Sequence, residues 1–193
     1  MPAAPDPHRL PIAAETAARL EGLRIRAVDG DPATLEELLV LVQPLVQRRC
    51  ARLLPCAQDA EEAAQDALVA VAGHLATFRG TGSFVGWVAT IAANAARTTY
   101  RRLKQRREVA VETLPERPDP RTTSVIAGAR LDLLDALDDL ERDRPEQARA
   151  FVLRDLASLT YAEIAELMAT PQGTVQSHVQ RARKFLQPRL AIS

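Results

Sequence analysis

Ser177, Gln180, Arg181 and Lys184 are spaced to share the side of a helix opposite the apolar residues Val175, Val179, Ala182 and Leu186. With Gly173 they form a small, amide-rich and basic face, and Gln176 and Arg183 lie toward one edge. The chemistry open to such a face is recognition. Gln and Arg can bond pairwise to base edges, and Ser and Lys suit phosphates, so the face fits a groove of double-stranded DNA. Just upstream, Thr160-Tyr161-Ala162-Glu163 reads as a capping box that opens a short helix, with Ile164, Ala165 and Met168 facing inward. Ala169-Thr170 turns the chain. Thr170 is expected to cap the following helix, with Pro171 at its first position, where a missing N–H costs nothing. The stretch from Thr160 to Leu186 is therefore expected to be a helix-turn-helix.

A second constellation lies upstream. Thr90, Asn94, Arg97, Arg101 and Lys104 fall within about 80° of one another on a helical wheel. Arg102, Arg106 and Arg107 add charge, no acid interrupts Arg97 to Arg107, and Trp87 stands one turn back at the border. Cations beside an aromatic ring and an amide suit a nucleic-acid backbone with exposed bases. The structural alternative is a solvated basic helix end favoured by the helix dipole; the neighbouring DNA-reading motif favours the first reading. Acids cluster elsewhere, at Asp59, Glu61, Glu62 and Asp66 with Gln65 among them. They are ordinary complements of a helix start, and they also suit a protein-docking face. Catalytic sets are lacking: His8, His74 and His178 are scattered without metal-ligand spacing, so neither an enzyme nor a cofactor or metal is expected. Cys50 and Cys56 read as two reduced thiols.

The elements that must carry these faces are helical. Apolar residues make up 47% and aromatics only 4%, and Ala, Leu, Glu, Arg and Gln dominate, which favours an all-α fold over strands. The net charge is zero, which excludes a general nucleic-acid coat and leaves local patches to do any binding. The expected order begins with a disordered tail at 1–12 and a first helical domain at 13–107. That domain holds a short helix over Ala14–Val28, a long helix on Leu35, Leu38, Leu39, Val42, Val46 and Leu53 with a kink or shift at Pro44, and a helix capped by Asp59 with Glu62 as its reciprocal partner. Ala60, Ala64, Leu68, Val71, Leu75 and Phe78 form the buried stripe of that third helix. The Arg79-Gly80-Thr81-Gly82 loop follows, and then a helix opened by Ser83 with Phe84, Trp87, Val88, Ile91, Ala92, Ala95 and Thr99 inside. Residues 108–124, with Pro115, Pro118 and Pro120 among charges, read as a flexible linker that could span roughly 55–60 Å when extended. A second helical domain fills 125–193, with an acidic helix on Leu131, Leu134, Leu137 and Leu140 and another on Ala148, Val152 and Leu156. No apolar run is long enough to cross a bilayer and no signal-peptide core is present, so a cytoplasmic protein without membrane insertion is expected.

The succession of motifs resembles the extracytoplasmic-function (ECF) sigma factors of the bacterial sigma-70 family. It runs through Asp59-Ala60-Glu61-Glu62-Ala63-Ala64-Gln65-Asp66, then Phe78-Arg79-Gly80-Thr81-Gly82-Ser83-Phe84 with Trp87, then Ile91-Ala92-Ala93-Asn94. Downstream come Leu159-Thr160-Tyr161-Ala162-Glu163-Ile164-Ala165 and Pro171-Gln172-Gly173-Thr174-Val175-Gln176-Ser177. The resemblance covers about Leu23 to Leu190. It implies a region 2 bundle of three or four helices and a region 4 helix-turn-helix on either side of the linker. It further implies docking on the clamp helices and flap of RNA polymerase core, recognition of promoter DNA at −10 and −35, and control by an anti-sigma factor. Glu62, Gln65 and Asp66 would then lie on the polymerase-docking helix. Asn94 would contact a flipped −10 base beside the loop of Thr81, Gly82 and Ser83, near Trp87, Arg97 and Arg101. Gln176, Ser177, Gln180 and Arg181 would read −35, with Lys184 on the same face. Three positions depart from the family pattern: Thr90 stands where Arg is usual, and Gln176 and His178 where Lys or Arg is common. Fewer cations imply a weaker and less salt-sensitive duplex affinity. The rival reading is a helix-turn-helix regulator that binds DNA without polymerase.

Overall fold

The computed structural model describes residues 14–80, 82–113 and 125–190, and among these every regular element is helical. Helix α1 is Ala14–Val28 and α2 is Pro32–Leu53. The α1–α2 turn is closed by Gly30, at φ 94°, and by Asp31, which caps α2 by accepting from the Ala33 N–H at 3.1 Å. Pro44 sits within α2, and the helix continues through it; Leu38, Val42, Val46 and Leu53 are buried on its inner face, with Leu35 and Leu39 packed against them.

Helix α3 spans Ala57–His74 and ends in a 3-10 turn, Leu75–Thr77. Its start corrects the sequence expectation. Cys56 occupies the capping position without a side-chain bond, and Asp59 lies inside the first turn. The helix begins directly after the Leu54-Pro55 corner, leaving Asp59 to complement the dipole rather than to cap. Ala60, Ala64, Val71 and Leu75 are buried as their spacing implies, and so are Ala63 and Ala67, which let α2 and α4 approach closely.

Helix α4, Phe84–Thr113, runs past Arg107 into the stretch read as linker. Nothing in Glu108-Val109-Ala110-Val111-Glu112 breaks a helix, and the first breaker is Pro115. The apolar residues buried by helices α1 to α4 belong to one core that also takes in Leu134, Leu137, Leu140, Phe151 and Leu186 from the helices that follow. The residues beyond α4 up to 124, expected to be linker, and the tail at 1–12 lie outside the described residues.

Helix α5, Val125–Asp143, is followed by α6, Pro145–Phe151, which continues as one π-helical turn, Val152–Leu156. Ala157 N–H donates to Val152 O at 2.8 Å, and Ser158 takes φ 63°. This widened turn ends the helix and aims the chain at the Thr160 cap. Buried Arg154 braces it, donating to Leu159 O at 2.7 Å and lying over the Tyr161 ring at 4.4 Å. Helices α7, Tyr161–Leu167, and α8, Gln172–Leu190, complete the fold.

Candidate nucleic-acid interface

The helix-turn-helix is built as its sequence implies, with one correction. Thr160 Oγ1 accepts from Glu163 N–H at 3.2 Å, and Glu163 Oε2 accepts from Thr160 N–H at 2.7 Å, closing the capping box. Ala169, at φ 49°, makes the turn. Thr170, however, does not cap α8: its hydroxyl donates to Met168 O at 2.9 Å and so stabilises the turn itself. Pro171 directly precedes α8, and its carbonyl accepts from Val175 N–H at 3.1 Å.

On α8, Val175, Val179, Ala182 and Leu186 are buried, which fixes the roll of the helix. Gln176, Gln180, Arg181 and Lys184 consequently face solvent, and Ser177 is half-buried with its hydroxyl donating to Gly173 O at 3.0 Å. Arg183 is held at the edge by a two-pronged bond to Asp155 of the π turn, at 2.6 and 2.9 Å, which raises its guanidinium pKa further. His178 is half-buried, and its Nδ1 has no hydrogen-bond partner.

The loop before α4 is shaped by glycine. Gly80 and Gly82 take φ near 75°, a region costly for side-chain-bearing residues. Beneath it Phe78, Phe84 and Trp87 form an aromatic triad with ring centroids 5.5–5.6 Å apart. Ser83 is exposed, its backbone N–H donating to Glu163 Oε1 of α7 at 2.9 Å. Thr81 lies outside the described residues.

The basic stripe of α4 is not the open surface that its sequence suggests. Asn94 is exposed, but Arg97 is only 7% exposed. Arg97 bonds Glu141 at 2.6 Å and faces Asp138 at 3.6 Å. Arg101 bonds Asp138 at 2.7 Å and also Glu141, and Lys104 pairs with Asp135. Burial would raise the Glu141 carboxyl, but hydrogen bonds and charge from Arg101 and Arg97 outweigh it and hold its pKa below the ordinary value. These acids belong to α5, far along the chain, and the sequence reading missed them as partners. The signal was present in complementary spacing: cations at 97, 101 and 104 against acids at 141, 138 and 135. Trp87, Thr90, Asn94 and Arg97 line one wall of a cleft of about 380 Å³ whose other wall includes Glu141, Arg149 and Leu153. Thr90 spends its hydroxyl on its own helix, donating to Gly86 O at 2.9 Å.

On α3, Glu62, Gln65 and Asp66 are exposed together beside Val69, itself 73% exposed. Glu62 pairs with Arg102 of α4 at 2.7 Å across two half-exposed side chains, a contact of small energetic weight. Both cysteines are free thiols, and burial pushes that of Cys50 up to about 11.

Residues 38–107 match the family model described as sigma-70 region 2, and residues 130–186 match sigma-70 region 4. The ECF RNA polymerase sigma factor SigE of Mycolicibacterium smegmatis is 32% identical over 181 residues, covering 88% of this chain and 68% of that protein. The chain belongs to the ECF sigma factors. The RNA polymerase sigma-H factor of Pseudomonas aeruginosa is 30% identical across 86% of this chain and 92% of its own length. Among solved structures, CnrH in complex with the cytosolic domain of CnrY shares the fold, with a TM-score of 0.50 at 20% identity over 89% of this chain and 97% of that one. As an ECF sigma factor the chain serves transcription initiation, and its capped helix-turn-helix falls within the region 4 match. The α3 acids, the glycine loop and the α4 stripe fall within region 2. Among the described residues, no helix is long and apolar enough to cross a membrane.

Proposed function

We propose that this ECF sigma factor carries RNA polymerase core to promoters through two separate readers. Gln176, Ser177, Gln180, Arg181 and Lys184 read the −35 element as duplex, where a helix can enter the major groove. Asn94 captures a −10 base once it has left the stack, beside Trp87 and the loop of Thr81, Gly82 and Ser83, while Arg97 and Arg101 track the backbone. Glu62, Gln65 and Asp66 dock on the polymerase. The first reader occupies 13–113 and the second 125–193, joined by the residues between them after a tail at 1–12. The chain performs no bond chemistry; polymerisation is its partner's. It works in the cytoplasm, with the nucleoid when polymerase-bound, and an anti-sigma protein is a further partner in keeping with the family resemblance.

One observation carries this reading: the buried stripe of α8 rolls Gln176, Gln180, Arg181 and Lys184 into solvent, on a chain that matches both regions 2 and 4. The test is run-off transcription of a genomic library with core polymerase, with and without the chain. Core alone should give no discrete starts and the complex a defined set. Nanomolar, salt-resistant operator binding by the chain without polymerase, and no core-dependent starts, would overturn the reading.

A further inference from the structure

Arg49, near the end of α2, is a buried cation that the fold leaves without an acid. Of the other buried arginines, Arg97 meets Glu141 at 2.6 Å, and Arg154 donates to Leu159 O and lies over the Tyr161 ring. Arg49 is 5% exposed, and among the described residues its guanidinium makes one hydrogen bond, to Ser158 Oγ at 3.3 Å. Burial and the neighbouring Arg52 pull its pKa down to about 10, where a carboxylate partner would have raised it. A charge taken out of water without a counter-charge is among the costliest groups a fold can bury. Ser158 is costly as well. It takes φ 63°, in the left-handed region that favours glycine, and its hydroxyl meets Arg49. The acids close to it in sequence are engaged elsewhere: Asp155 holds Arg183, and Glu163 serves Thr160 and Ser83. Ser158 is half-buried, which keeps the pair within reach of the surface.

We infer that Arg49 and Ser158 form a phosphoryl-group site beside the start of the helix-turn-helix, filled by phosphate from solution or by a phosphoester on Ser158 itself. A guanidinium fork matches the oxygens of a phosphoryl group, and the doubly ionised form supplies the negative charge that Arg49 lacks. In the ester, Ser158 Oγ attacks the γ-phosphorus of a nucleoside triphosphate held by a protein kinase. The Oγ–P bond forms, the bond from the γ-phosphorus to the β–γ bridging oxygen breaks, and nucleoside diphosphate leaves. The hydroxyl proton passes to the base of the kinase. Either source ties the end of α2 to the turn that precedes the Thr160 cap. The site uses none of the residues assigned to promoter DNA or to polymerase, so it stands apart from those assignments.

Two arms on the full-length chain test the site and separate its sources. In the first, phosphoserine is introduced at position 158 during translation, and the phosphorus-31 resonance is titrated with pH. The second ionisation of a phosphoserine lies ordinarily at about 6. Contact with Arg49 should lower it to about 5, and Arg49→Gln should return it to the ordinary value. Arg49→Gln removes a buried charge that has no counter-charge, so the variant should fold. Arg49→Lys, which keeps the charge without the fork, should retain part of the shift. In the second arm, the Tm of the unmodified chain is measured in inorganic phosphate and in sodium chloride of equal ionic strength. A gain in phosphate that Arg49→Gln abolishes assigns the site to phosphate from solution, and a shifted phosphoserine without that gain assigns it to the ester. A phosphoserine that titrates at its ordinary value, with no Arg49-dependent gain from inorganic phosphate, overturns the site.

Discussion

Replacing Glu163 by Ala removes two different things at once. Its Oε2 closes the capping box on the Thr160 N–H at 2.7 Å, and its Oε1 takes the Ser83 N–H at 2.9 Å from the other unit. Loss of a helix cap costs about 1 kcal/mol. A hydrogen bond to a carboxylate contributes more when buried, but this one is exposed, and about 1 kcal/mol is the appropriate size. The variant should therefore lose about 2 kcal/mol, which for a chain of this length lowers Tm by roughly 4–8 °C. Thr160→Ala touches the cap alone and should lower Tm by roughly 2–4 °C. Calorimetry gives both shifts. Amide hydrogen exchange at Ser83 separates them further, because it should speed up in Glu163→Ala and stay slow in Thr160→Ala. Equal Tm shifts, with Ser83 exchange unchanged in both, would show that the bond between the units contributes nothing.

Gln180→Ala and Arg181→Ala, at exposed positions, should leave Tm unchanged and weaken −35 discrimination by about 1–3 kcal/mol each, read as run-off yield on matched and mutated −35 elements. Cys56, which is exposed, should react with a thiol reagent at pH 8 in the native protein, whereas Cys50, pushed up to about 11 by burial, should react only after denaturation. The Glu141 carboxyl is depressed in the folded chain, so its stabilisation is complete above the unfolded carboxyl range of about 4.3 and is lost as pH falls through the lower folded value. Replacing it by Gln should accordingly lower the urea midpoint at pH 6 to 8 and narrow the difference from wild type on the acid side of that range.

What could be read from sequence was what is local. The stripe Val175, Val179, Ala182 and Leu186 repeats within one helix, and the Thr160–Glu163 box spans one turn, so both were legible before any tertiary contact was known. Errors fell where a local rule had two solutions. Asp59 and Cys56 both precede plausible helix, and the Pro55 corner decided for Cys56. Thr170 could cap α8 or lock the turn, and its hydroxyl found Met168 O first. The closure of α5 over Arg97, Arg101 and Lys104 left only the complementary spacing of acids and cations in the sequence, and that spacing alone does not decide the partner. A helix exposing cations on one stripe looks the same whether that stripe meets water, DNA or acids more than thirty residues away, and only the fold selects among them. Ala89 and Ala93 carried a faint hint, being small residues beside the stripe that are buried rather than solvated.

The most direct test of the promoter-reading assignment is single-round initiation by core polymerase and the Asn94→Ala variant at a start site identified with the wild-type chain. The assay uses templates whose −10 region is either duplex or pre-melted by mismatch. Asn94 is exposed and takes no part in the ion pairs between α4 and α5, so the variant should fold and bind core normally yet lose most initiation on duplex, with partial recovery on the pre-melted template. Initiation equal to wild type on both templates would contradict capture of a −10 base by α4.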